Sequence, residues 1–248
     1  MKKGLMVKRN INTLDKPLWT PSRKWAGELE FEDSKGYIIS AKSGIPTDKD
    51  MEILNHILAL AQQSEEYTLS FNSMSSLLQE LELDNSQKEY ERVIRSLTKW
   101  SEIQLFFPKG TFYESNKKIP SFSLMSVLTF LKIDKGKVEI DFNKRFIELN
   151  ESNFCKFISI DFMKSIESPY AKRLYEILCK GFFGREVWSI GEVKLSEKMV
   201  VYYRYPAELT KIVIKAVEEI NLKLKNSGSN TSYKVSKKIG VFTFTKEG

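Results

Sequence analysis

Two helix-length stretches of this chain set a basic stripe opposite an apolar stripe, and each precedes a basic hairpin. Lys88, Arg92, Arg95 and Lys99 step by four, three and four residues, a spacing that aligns them along one line of a helix. Tyr90, Val93, Ile94 and Leu97 fall on the other side. In the second stretch Arg204, Lys211 and Lys215 share a line, opposed by Leu209, Val213, Ala216 and Ile220. A helix held down by one face and offering cations on the other suits the major groove of duplex DNA. Two such units predict two DNA-binding modules.

Composition narrows the setting. A chain of 248 residues with 42% apolar side chains can build two domains of ordinary size. No apolar run approaches the ~20 residues of a membrane span, and the N-terminus lacks a signal-peptide pattern. No membrane partner is expected. Cys155 and Cys179 form no metal or redox spacing, so a reduced, cytoplasmic protein with both cysteines packed is expected. The net charge of +7 is unevenly placed. Residues 1–24 hold seven Lys/Arg against one acid, net +6, and residues 199–248 hold nine against four, net +5. Residues 25–198 are net −4. Basic termini around an acidic middle read as polyanion binding.

The order of elements predicts an α+β fold with two tandem winged-helix domains. Residues 1–24 read as a flexible basic arm, 25–150 as the N-terminal winged helix and 151–248 as the C-terminal one. In the first, a helix capped at Thr47 or Asp48 precedes a strand at Tyr67–Phe71 and a helix over Met74–Leu83. The first striped helix follows, about Gln87 to Trp100. Strands at Ile103–Phe107 and Ser121–Ile133 then form a hairpin around a polar tip, Pro108–Pro120. Lys137–Phe142 reads as a further strand, and Asn150–Lys156 as the junction. The order recurs with a helix from Ser168-Pro169, a strand at Val187–Ser189 and a helix at Ile190–Met199. The second striped helix runs from Tyr205-Pro206 to about Leu224. A hairpin of Tyr233–Lys238 and Val241–Thr245 closes the chain.

Here the sequence resembles a known family. Ser168-Pro-Tyr-Ala-Lys-Arg-Leu-Tyr-Glu-Ile-Leu178 is similar to the signature helix of iteron-type plasmid replication initiators. Val213-Ile-Lys-Ala-Val-Glu-Glu-Ile-Asn221, with the basic and apolar strands of Tyr233–Phe244, resembles the same family. Ser43-Gly-Ile-Pro-Thr-Asp-Lys-Asp-Met-Glu-Ile-Leu54 resembles the opening of the replication initiator protein A group. The resemblance covers roughly residues 40–245. It implies two related winged-helix domains on directly repeated origin sites (iterons) of double-stranded DNA. It also implies repression of its own promoter as a homodimer, and contact with a host replication initiator and the replicative helicase.

The candidate DNA contacts follow from what a reading helix needs: cations on phosphates and polar groups at base edges. Arg204 is the first choice for a base, because its fork addresses guanine bidentately. Tyr203 and Tyr205 flank it, and Lys211 and Lys215 lie one and two turns further along. The free N–H groups of the first turn suit a phosphate. Lys234, Lys237 and Lys238 would grip phosphate or the minor groove from the hairpin. In the first module the contacts are Lys88, Arg92, Arg95 and Lys99, with Glu89 and Glu91 close enough to divert some of that charge into pairs. The competing reading is that these cations are only the wet faces of core helices.

No catalytic residue, cofactor or metal site is expected. The single histidine, His56, rules out the His-hydrophobe-His pair of tyrosine nickases. No G-x-x-x-x-G-K-[ST] loop, G-x-S-x-G elbow or zinc spacing occurs. Asp134, Asp141 and Asp161 fall in different elements. A replication initiator is therefore the leading reading. Two rivals stay open: a winged-helix transcriptional regulator at an operator, and a metal-dependent nuclease or recombinase.

Overall fold

The computed structural model describes residues 4–22, 30–109, 113–114, 117–118, 123–151 and 154–248. The chain begins with β1 (Met6–Asn10), α1 (Ile11–Asp15), β2 (Glu30–Glu32) and β3 (Ile38–Ser40). Next come α2 (Asp48–Ser64), β4 (Thr68–Phe71), α3 (Met74–Glu80), α4 (Gln87–Glu102) and β5 (Gln104–Phe107). Then follow β6 (Tyr113–Glu114), β7 (Lys117–Lys118), β8 (Ser123–Ser126), β9 (Leu128–Asp134), β10 (Lys137–Phe142) and α5 (Lys144–Glu151). The second half holds β11 (Cys155–Ser159), α6 (Ile160–Ser165), α7 (Pro169–Gly181), β12 (Val187–Gly191) and α8 (Glu192–Met199). It ends with α9 (Pro206–Asn226), β13 (Ser232–Lys238) and β14 (Val241–Glu247).

The helices start where short polar side chains take up their free N–H groups. The Thr47 N–H donates to Asp50 Oδ2 at 2.8 Å, opening α2. Ser73 accepts from the Ser76 N–H at 3.0 Å to open α3, and Ser86 accepts from Glu89 at 3.3 Å to open α4. Ser168 caps α7, with Pro169 in its first turn. Both halves then repeat one scheme: helix, strand, helix, striped helix, and an antiparallel hairpin that pairs with the strand. The sheets are ordered β4-β10-β9 and β12-β14-β13. Val93, Leu97 and Trp100 of α4, and Leu209, Val213 and Ile220 of α9, are buried against them.

The hairpin of the first module is not the one expected. The expected strand Ser121–Ile133 bends at the buried Val127 and splits between two sheets. β8 pairs with β5, in a four-stranded sheet ordered β2-β3-β5-β8. β9 turns back on β10 through Lys135-Gly136 to make the wing. Asn143 holds the corner, its N–H on the Val127 carbonyl at 2.9 Å and its Nδ2 on Ser126 Oγ at 3.0 Å. Alternation across the corner reads as one strand, and only the later Asn143 marks the break. The Pro108–Pro120 tip belongs to the β5–β8 side. Residues 110–112, 115–116 and 119–122 lie outside the described residues.

Residues 4–22 are not a free arm, contrary to expectation. β1 pairs antiparallel with β11, Val7 opposite Ile158 and Arg9 opposite Lys156. Val7, Leu14, Leu18 and Trp19 are buried in a hydrophobic core that runs through both halves. The reason is charge placement. Arg9 counts toward the basic composition of this segment, yet its side chain is fully buried and lies 3.6 Å from Glu176 Oε1. Its NH1 also donates to Asn55 Oδ1 of α2 at 2.7 Å. Glu176 Oε2 accepts from Arg173 at 2.7 Å and from the Trp19 indole at 2.9 Å. Arg173 donates in turn to the carbonyls of Leu14, Asp15 and Lys198. Lys172 reaches Glu52 at 2.5 Å and Asp48 at 3.4 Å on α2. At the expected junction, Asn150–Lys156, α5 runs to Glu151 and β11 takes up pairing at Cys155; residues 152–153 lie outside the described residues.

Candidate nucleic-acid interface

In the second module, α8 and α9 meet through the turn Val200–Tyr205. Val200 ends α8 in the left-handed region, φ 52°, while buried. Pro206 opens α9, and Tyr205 precedes it without a side-chain cap. Arg204 is exposed, its guanidinium 5.3 Å from the centre of the Tyr205 ring. Lys211 and Lys215 are exposed on one line of α9 and make no ion pair among the described residues. Ile214 is exposed between them. Together they form a continuous wet face of aromatic, guanidinium, ammonium and aliphatic groups. The first-turn N–H groups are less open to phosphate than expected. Glu208 folds back and accepts from the Arg204 N–H at 3.0 Å, placing a carboxylate at that end.

The remaining second-module candidates divide. Lys237 is a clamp and not a free phosphate grip. Its ammonium lies 2.5 Å from Glu192 Oε2 and 3.1 Å from Thr210 Oγ1, and 3.5 Å from the Pro206 carbonyl. It ties β13 to α8 and to the first turns of α9. Tyr203 braces the same corner, its hydroxyl 3.4 Å from Glu192 Oε1. Burial, then the Glu192 charge, raises its pKa. Lys238 is exposed at the wing tip and makes no ion pair among the described residues. Lys234 makes an exposed pair with Glu247 at 2.6 Å, of a kind that contributes little to stability.

In the first module the predicted line sits on the shoulder of α4 and not at its centre. Lys88 is exposed and makes no ion pair among the described residues, and Arg95 is exposed with Glu91 at 3.6 Å. Arg92 pairs with Glu89 at 2.7 Å and is partly covered. Lys99 turns inward to Asp50 at 3.0 Å, the residue that caps α2, while the Trp100 indole donates to the Asp50 carbonyl. Two of the four predicted cations are therefore engaged: Lys99 ties α4 to α2, and Arg92 pairs within its own helix. The sequence reading missed three further cations, Lys132, Lys135 and Lys137, exposed around the β9–β10 turn, with Lys132 lying 3.9 Å from Asp134. Their signal was Asp134-Lys135-Gly136-Lys137, a tight-turn sequence with Gly at a positive φ of 85°.

His56 is buried in α2, and burial, then Lys164, lowers its pKa. Cys179 is unpaired, and burial pushes its thiol up to about 12. Among the described residues no three His, Cys, Asp or Glu side chains gather as metal ligands would. Among them, too, no helix is long and apolar enough to cross a membrane.

A family model described as initiator replication protein, WH1, matches residues 31–179. The chain belongs to this initiator family. Solved structures are similar to this initiator along nearly its whole length. One of domains 2 and 3 of RctB has a TM-score of 0.58 at 11% identity, over 96% of each chain. A second has 0.56 at 13% identity, over 95% of each. The Pi initiator protein, solved in complex with iteron DNA, has 0.53 at 12% identity, over 100% of this chain and 99% of that one. Among curated protein sequences, none matches. The initiator is thus an α+β protein of two tandem winged helices.

Proposed function

We propose that this initiator starts plasmid replication by binding directly repeated duplex sites at the origin, without catalysing any bond cleavage itself. The observation that carries the reading is the paired geometry. Each half places an exposed cationic face of its third helix beside a lysine-bearing wing, Lys88 and Arg95 beside Lys132–Lys137, and Arg204, Lys211 and Lys215 beside Lys238. Family membership and a fold shared with a protein solved on iteron DNA support it. The two helices would occupy successive major grooves about one helical turn apart.

Footprinting of the DNA flanking its gene, at two salt concentrations, tests this. Protection of several direct repeats that weakens steeply with salt is expected. A single protected palindrome over the promoter would point to a transcriptional regulator instead. Arg204→Ala should cost ~1–3 kcal/mol and relax discrimination at one position. Lys215→Ala should weaken all sequences alike and lower the salt slope by about 1.

A further inference from the structure

Among the described residues, two β-branched side chains sit at positive φ: Val200 at 52° and Ile239 at 49°. Such residues rarely adopt this conformation, because Cβ crowds the following carbonyl. Val200 is 3% exposed, so packing offsets its strain. Ile239 is 91% exposed, the most exposed large apolar side chain among the described residues, and none of these residues covers it to offset its strain. It occupies the first central position of the β13–β14 turn, with Gly240 at φ 69° in the second. Turns with two positive φ values favour Asn-Gly, and Ile is among the poorest choices for the first place. The tip is also rigidly placed. Lys237 anchors β13 to Thr210 and Pro206 of α9, and the Gly240 carbonyl accepts from the Glu192 N–H at 2.9 Å. The apolar tip therefore projects at a fixed position next to the N-terminal turns of α9, with exposed Lys238 adjoining it in sequence.

Resting on the duplex-binding reading above, we infer that Ile239 is an apolar wedge for the minor groove of duplex DNA. With α9 in the major groove, the wing tip would meet the neighbouring minor groove, where Lys238 holds phosphate and Ile239 presses between base steps. Aliphatic wedges of this kind partly unstack a step and kink the duplex. Flexible pyrimidine–purine steps, which kink most readily, are the expected target. The second wing would then be a local unstacking device, and its preference for deformable steps would add specificity that no hydrogen bond supplies.

Ile239→Asn in the full chain separates this role from a structural one. Asn is the residue the turn prefers, so thermal unfolding should move up by roughly 2–4 °C. Affinity should fall roughly tenfold on a footprinted direct-repeat duplex from the DNA flanking the gene. The fluorescence rise of a 2-aminopurine placed at the wing-proximal step should disappear. Ile239→Leu should keep that rise. If Ile239→Asn leaves both affinity and fluorescence as in the wild type, the wedge is wrong. If it instead shifts the oligomeric state in sedimentation while leaving the fluorescence unchanged, the tip is a protein contact and the wedge is also wrong. Arg204→Ala/Lys211→Ala in the same assay distinguishes the two levels: unchanged affinity there would overturn duplex binding itself.

Discussion

Asp15 ends α1 with its carboxylate between two ammonium groups, Lys198 at 2.5 Å and Lys180 at 3.0 Å. Burial alone would raise its pKa, but the two lysines outweigh burial and hold the carboxyl well below its ordinary 3.8. Burial lowers the Lys198 ammonium to about 8 despite the support of Asp15. A carboxylate with a depressed folded-state pKa adds stability above its unfolded value and loses it as pH falls through the folded one. Asp15→Asn should therefore be less stable than the wild type near neutral pH. The difference should narrow below about pH 4 as the unfolded chain takes up its proton. Thermal melts across that range would show it; a gap independent of pH would mean that Asp15 titrates alike folded and unfolded.

Helix α4 shows how one element divides its cations between the fold and an open face. Its register is legible in sequence, because Val93, Leu97 and Trp100 fall on one side at helical spacing. The fate of each cation is only partly so: Glu89, on the same helix, takes Arg92 as the spacing allows, but Asp50, forty-nine positions away, takes Lys99. Lys99→Ala should cost about 1–3 kcal/mol of stability, by uncovering a partly buried carboxylate, and leave the salt slope of DNA binding alone. Lys88→Ala should do the reverse: stability within about 0.5 kcal/mol and a slope smaller by ~0.9. Denaturant unfolding and salt titration of both variants would separate them. The same dependence on distant partners explains the other misses. Local pattern finds β10, whose Val138, Ile140 and Phe142 alternate with polar residues. It cannot see that Val127 turns a corner for Asn143, or that Lys237 spends its charge on Glu192. The exposure of Arg204, Lys211 and Lys215, whose charges engage no distant partner among the described residues, is legible from helical spacing alone.

At the scale of the whole molecule, the two winged helices share one core. Arg9, Trp19, Arg173 and Glu176 join the N-terminal segment, α2 and α7 in a buried polar cluster. Removing residues 1–22 should therefore unfold the protein, not merely weaken its hold on DNA. Val7, Leu14, Leu18 and Trp19 each contribute roughly 1.5–3 kcal/mol by burial, a loss comparable with the whole stability of a typical domain, about 5–15 kcal/mol. Near-ultraviolet circular dichroism of the truncated chain should show no fixed tertiary structure; a native spectrum with reduced affinity would restore the flexible-arm reading. The pairing of β1 with β11 carries a further consequence for synthesis. Asn10 and Cys155, facing residues in that pairing, are 145 positions apart. At ~5–20 residues per second, the first strand leaves the ribosome roughly 7–30 seconds before its partner. Glu176, which neutralises Arg9, emerges later still. Until then β1 lacks the strand it pairs with, and Arg9 lacks its neutralising carboxylate. The N-terminal segment can therefore dock only once α7 has been made, so closure of the shared core waits on the second half.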